Sequence, residues 1–168
     1  MRSIRTLATA IALSVTTAAL AHHDGEVVEA NGMRASHAHT DAPAATAHGI
    51  YVYMTIENLS DAPDRLLGAT VPFAQPARFE ASVIDSAGNL SITAVSAVNI
   101  APGQTLTLQP GGLRLVFDDV QRRLEPGELF PVTLRFEGAG TLKLIGEVER
   151  DEDGHAGDEH EDAADPAS

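Results

Sequence analysis

Seven histidines are the residues of this chain best suited to chemistry, and none lies in its strand-rich middle. His22, His23, His37, His39 and His48 precede residue 50, while His155 and His160 lie near the carboxyl end. A neutral imidazole is the commonest nitrogen ligand and holds Cu(II), zinc or nickel at neutral pH. His37 and His39 stand two apart, so in extended backbone both rings project to one side and can grip one ion. His48 returns at the entrance of the strand that starts near Ile50 and would supply a third nitrogen. The competing reading of this stretch is a solvated, Ala-rich loop with incidental histidines. His22-His23-Asp24 is the second candidate. As the first residue of a processed chain, His22 offers its α-amine and its ring together, a chelate that favours Cu(II). The amine must shed a proton from a pKa near ~8, so binding weakens in acid. Processing one residue earlier would put His23 third, another copper-favouring arrangement; against both stands a frayed terminus.

Other reactive side chains carry less. The run Asp151 to Asp162, with His155 and His160, attracts cations but lacks the ligand order of an EF-hand loop and reads as solvated chain. Met54 shares a face with Val52 and Ile56 and reads as core; Met33 reads as packing rather than as a sulfur ligand. Asp118, Asp119 and Glu57 have no matched acid or base partner. No catalytic role is assigned, and the chain reads as a binding protein, not an enzyme.

Composition narrows the partners. The formal charge is −13 and includes Arg2 and Arg5. Such a surface repels phosphate backbones, so nucleic acid is excluded as a partner and a cation is a natural one. The absence of Cys excludes disulfides and thiolate ligands. At the amino end, Arg2 and Arg5 precede an apolar run from Leu7 to Leu20 and the small-x-small triplet Ala19-Leu20-Ala21. That order is a signal peptide over residues 1–21, with cleavage after Ala21 and residence in the periplasm. The apolar run is short of the ~20 residues a spanning helix needs, so no membrane insertion is expected after cleavage.

The elements that must position any ligand lie between Ile50 and Val148. Ile50, Val52, Met54 and Ile56 alternate with Tyr51, Tyr53 and Thr55, the period of a strand with two different faces. Further strands are expected over Arg65 to Val71, Ala77 to Ile84, Leu90 to Val95, Gln104 to Leu108, from Leu113 onward, Phe130 to Glu137 and Thr141 to Val148. Asn58 to Asp64, Asp85 to Asn89, Ala101-Pro102-Gly103, Pro110-Gly111-Gly112, Glu125-Pro126-Gly127 and Gly138-Ala139-Gly140 punctuate them. Short strands at this spacing predict an all-β, antiparallel sandwich of immunoglobulin-like or cupredoxin-like form. It is flanked by a disordered His-rich segment at 22–49 and an acidic tail at 149–168.

Several phrases resemble the periplasmic copper chaperone PCu(A)C family: Asn31 to Ser36, Gly49 to Asn58, Asp64 to Ala69, Ile100 to Gly103, Leu108 to Gly112, and Leu124 to Gly127 followed by Val132 to Phe136. The likeness runs from about residue 26 to 148. It implies a cupredoxin-like sandwich that binds copper in the periplasm and supplies it to cytochrome oxidase assembly. It also implies His and Met ligands: a His-x-Met pair, a Met on the next strand, and a second His-x-Met after the Pro-Gly-Gly turn. Here the first pair reads Phe79-Glu80-Ala81, the next strand offers Leu90, Ser91 and Ile92, and the second pair reads Arg114-Leu115-Val116. None of Phe, Ala, Val or Arg donates a lone pair to copper. The expectation is therefore a copper chaperone or buffer, holding Cu(II) or Cu(I) through His37, His39, His48, His22 and His23 in place of the usual set. A cytochrome oxidase subunit or assembly factor would be the recipient. Zinc as the metal, or a metal-free assembly module, are the alternatives.

Overall fold

Eleven strands make up the computed structural model, which describes residues 26–43 and 48–150. They are β1 (Val28–Ala30), β2 (Met33–Asp41), β3 (Gly49–Asn58), β4 (Asp64–Thr70), β5 (Arg78–Ile84), β6 (Leu90–Val95), β7 (Val98–Ile100), β8 (Thr105–Leu108), β9 (Leu113–Asp118), β10 (Leu129–Phe136) and β11 (Thr141–Glu149). Alternation decides what each strand buries. Along β10, Phe130, Val132, Leu134 and Phe136 are inside while Leu129, Pro131 and Arg135 meet water. Its antiparallel partner β11 answers with Leu142, Leu144 and Val148. Gly146 completes that face, because a Cβ there would lie 2.8 Å from the Phe130 ring.

The strand order is β6-β5-β9-β3-β2-β11-β10-β4-β7, and β3 joins its two parts. On one edge β3 pairs with β2. On the other, Gly49 to Val52 pair with β9 and Met54 to Glu57 pair with β8. Phe79, Leu115 and Phe117 from the β5–β9 part and Leu66, Val132, Leu134 and Leu144 from the β4–β10–β11 part share one core. Removing each such side chain from water stabilises the fold by ~1.5–3 kcal/mol. At the end of β3, Asn58 is fully buried with its side-chain amide satisfied: Nδ2 donates to the carbonyls of Ala62 (2.8 Å) and Ile100 (3.0 Å), and Oδ1 accepts from Ser60 N–H and Oγ.

The all-β class and the strands from Ile50 onward agree with the pattern of the sequence, with three differences. First, the sheet is not wholly antiparallel: β2 and β11 run parallel, Glu147 beside His39 and Glu149 beside Asp41. Second, part of the His-rich segment expected to be disordered is strand. β2 lies between β3 and β11, with Met33, Ala35, Ser36, Ala38 and Thr40 buried. Small side chains hide the apolar signal there, yet they allow close packing at the centre of a sheet. Third, β7 is too short to show an alternation. Among the described residues no helix is long and apolar enough to cross a membrane.

Candidate metal centre

β2 carries two of the five histidines expected to bind metal. Its register against β3 slips between Ser36 and His39, and His37 takes a φ of 54°, the left-handed region that few residues with a side chain adopt. His37 is thus an inserted bulge residue, exposed to water. The rule that positions two apart face the same way fails across a bulge, so the expected two-pronged grip of His37 and His39 is not imposed by the strand. Instead, His39 Nδ1 lies 2.9 Å from the His37 carbonyl, and the His39 ring tilts against Tyr53 at 5.4 Å between centroids. Glu149 Oε1 lies 3.9 Å from the same Nδ1. Nε2 of His39 makes no hydrogen bond among the described residues.

The parallel pairing of β2 with β11 brings carboxylate-bearing positions alongside, since Glu147 and Glu149 stand beside His39 and Asp41. Sequence reasoning missed these neighbours because Asp41 and Glu149 are more than a hundred positions apart. No local pattern announces a parallel pair.

His48 goes elsewhere. It is exposed just ahead of β3, its carbonyl accepting from Val120 N–H at 3.1 Å. Tyr53 is the register partner of His39. His48 precedes Tyr53 by five residues, roughly 17 Å of extended chain at ~3.4 Å per residue. The expected meeting of His37, His39 and His48 on one ion is therefore not formed. Among the described residues no three His, Asp or Glu side chains are grouped to hold a metal ion. His22, His23, His155 and His160 lie outside the described residues. The chain does enter close to the bulge: β1 runs antiparallel to β2 with Val28 beside Ala35, and the Glu26 carboxylate accepts the N–H of Ile145.

The two stretches that replace the expected His-x-Met pairs are brought together. Phe79-Glu80-Ala81 on β5 lies against Leu113-Arg114-Leu115 on β9, with Glu80 directly opposite Arg114. Arg114 donates to Glu80 from Nη2 at 2.8 Å and from Nε at 3.2 Å. Arg78 donates to the other Glu80 oxygen and, through Nε at 2.7 Å, to Asp118. The Arg114 guanidinium also covers the Tyr51 ring at 4.6 Å. Hydrogen bonds from Arg114 and then Arg78 hold the Glu80 carboxyl below the ordinary glutamate range, and Arg78 does the same for Asp118. The site is filled with N–H donors, and its carboxylates are already paired. A cation arriving there meets two guanidinium charges in place of neutral donors. Opposite charges at 80 and 114 were the sequence signal for this pair, visible once the register of β5 against β9 is known.

A family model described as "Putative lipoprotein LpqE-like" matches residues 33–148. Among solved structures, the apo PCuAC domain from PmoF1 is similar at 26% identity and TM-score 0.65, covering 74% of this chain and 99% of that one. The copper-bound PCuAC domain from PmoF2 shows the same fold at 24% identity and TM-score 0.64, over 74% of this chain and 98% of that one. The solution structure of apo-DR1885 from Deinococcus radiodurans matches at 26% identity and TM-score 0.56, over 92% and 99%. No curated protein matches the chain.

Proposed function

The chain belongs to the LpqE-like family, and on that premise we propose that it is an exported copper-binding protein that buffers the ion or hands it on. The observation that carries the reading is the fold. PCuAC domains share it along nearly their whole length, and PmoF2 and DR1885 have been solved with copper bound, the latter as Cu(I). The ligands must differ from a His/Met set, because Glu80 and Arg114 close the β5–β9 position with their own ion pair.

Copper is held instead at the β2 bulge. His37 and His39 supply two imidazoles, and His23 and His22 precede Glu26 by only three and four residues. Support comes from the direction of β1, which starts the described chain beside the bulge, and from the carboxylates along β11, which favour a cation. Nitrogen-rich ligation favours Cu(II) over Cu(I), and zinc competes for it. His48 takes no part. The protein lies in the periplasm after loss of residues 1–21, and the recipient is a cytochrome oxidase subunit or assembly factor.

Titration of the purified chain with Cu(II), followed by nitrogen hyperfine structure in electron paramagnetic resonance, tests this. Replacing His37 and His39 by Ala should lower Cu(II) affinity by about 10–100-fold, as should replacing His22 and His23, whereas His48→Ala should change it less than about twofold. Equal affinity in all variants overturns the site. No stoichiometric copper or zinc at all favours the second reading, a metal-free assembly module. The guanidinium of Arg114 at the expected ligand position is the observation on that side.

A further inference from the structure

The β5–β6 hairpin leaves a strip of apolar side chains in water. Ile84 is 70% exposed, Leu90 67%, Ile92 58% and Val83 45%. Ile84 pairs with Leu90 and Ser82 with Ile92, so Ile84, Leu90 and Ile92 stand on one face of the hairpin. β6 is also the terminal strand of the sheet, and among the described residues nothing pairs with its outer edge. Edge strands are usually guarded by Lys, Pro or a bulge. Leu90-Ser91-Ile92-Thr93-Ala94-Val95 has none of these, and no charged residue occurs between Asp85 and Arg114.

The register tells which backbone groups are free. Ser82 N–H donates across to Gly112 at 3.2 Å, away from β6, so Ser82 and Ile92 do not bond to each other. In an antiparallel ladder bonding alternates. Hence the N–H and C=O of Ile92, together with those of Leu90 and Ala94, point to the open edge.

We infer that β6 pairs antiparallel with β6 of a second copy, across a two-fold axis at Ile92. Charge selects that occupant. A chain of formal charge −13 repels its own copy over most of its surface and can meet it only where charge is sparse. At this edge charge is sparse: none occurs from Ser86 to Leu113, Glu80 is neutralised by Arg78 and Arg114, and Asp85 in the turn, which accepts from Asn89 and the turn N–H groups, keeps its charge. The strand is self-complementary as well. With Ile92 opposite its copy, Leu90 faces Ala94 of the other chain, large against small, and all three residues on each side present free bonding groups. A single six-residue strand laid against its copy makes a small interface, so association is concentration-dependent. This inference is independent of the metal reading.

Sedimentation velocity of the purified chain over a wide concentration range reads it directly. The dimer fraction should rise with concentration, and rise further with salt as the negative charges are screened. Ile92→Lys should abolish dimer while leaving circular dichroism and thermal melting unchanged, since the residue is exposed. The chain has no Cys, so Ile92→Cys places a single thiol on the axis. Its Cα would lie about 5.5 Å from its copy, within disulfide reach. Oxidation should link Ile92→Cys at least ~10-fold faster than Asp61→Cys in an exposed turn, the gain of an intramolecular over a bimolecular encounter. A chain that stays monomeric throughout, with both thiols linking at equal rates, overturns the inference. So does one that uses this edge only for a different protein.

Discussion

Two regions of this sandwich face the same question, how to hold positive charge, and answer it oppositely. On β5 and β9 the cation is built in: Arg78 and Arg114 are covalent parts of the chain and satisfy Glu80 and Asp118 permanently. Along β2 and β11 the carboxylates of Asp41, Glu147 and Glu149 belong to strand positions beside His39, and among the described residues no Lys or Arg bonds to them. A fold can thus keep its strands and turns while its carboxylates are paired with guanidinium groups in one region and left without them in another. The closed region rests on regular register. The open one rests on a bulge.

The comparison breaks most strongly if the closed region can be reopened. Glu80→His with Arg114→His puts two imidazoles directly across from each other on β5 and β9, with Cβ atoms about 4.5–5.5 Å apart. Cu(I) affinity should rise by about 100-fold over a chain lacking His37 and His39, as read by competition with a chromogenic chelator. No gain would mean that more than the ligands has been lost. Next in size, Arg114→Ala removes the main partner of a carboxylate whose side chain is 14% exposed. It should cost about 2 kcal/mol in urea unfolding, between the values for surface and buried pairs.

Acid titration sharpens the same contrast. Because the folded pKa of Glu80 is depressed, its contribution is present above the ordinary value of 4.5 and is lost as pH falls through the lower folded value. The parent chain should therefore lose stability below about pH 4.5, and Glu80→Gln should flatten that part of the melting curve. The smallest effect belongs to the open region. Glu149→Gln touches an exposed carboxylate and should shift unfolding by less than ~0.5 kcal/mol, while weakening Cu(II) binding severalfold. If instead it destabilises as much as Arg114→Ala, the two regions do not differ in kind.

What could be read in the sequence divides along the same line. The strands from Ile50 onward were legible because large apolar residues alternate cleanly and turns of Pro, Gly and Asn separate them. β2 was not, for two physical reasons. Beyond Met33 its buried positions are Ala35, Ser36, Ala38 and Thr40, whose small side chains carry little hydrophobic signal, and the bulge at His37 shifts the period halfway along. That Phe79, Ala81, Arg114 and Val116 stand where His and Met are expected was visible residue by residue, but the pairing of Glu80 with Arg114 depends on the register of β5 against β9, strands far apart in sequence. His37, His39 and His48 are near in sequence and not gathered in space, because His39 pairs with Tyr53, five residues along the chain from His48, whose level lies beyond the end of β2 at Asp41. Sequence proximity here measured contour length, and the sheet spent it on reach.

β3 has one more property, which follows from its place between the two parts of the sheet. It is hydrogen-bonded on both edges, to β2 along one side and to β9 and then β8 along the other. Its amides alternate between the two sides: Asn58 N–H donates to the Gln104 carbonyl, so those of Met54 and Ile56 face β8 and that of Thr55 faces β2. Deuterium should therefore enter Thr55, bonded to an internal strand, only through whole-molecule opening, and its exchange should report the global unfolding free energy, while Met54 and Ile56 exchange as the four-residue β8 frays. β6 and β7, at the two margins, should label first.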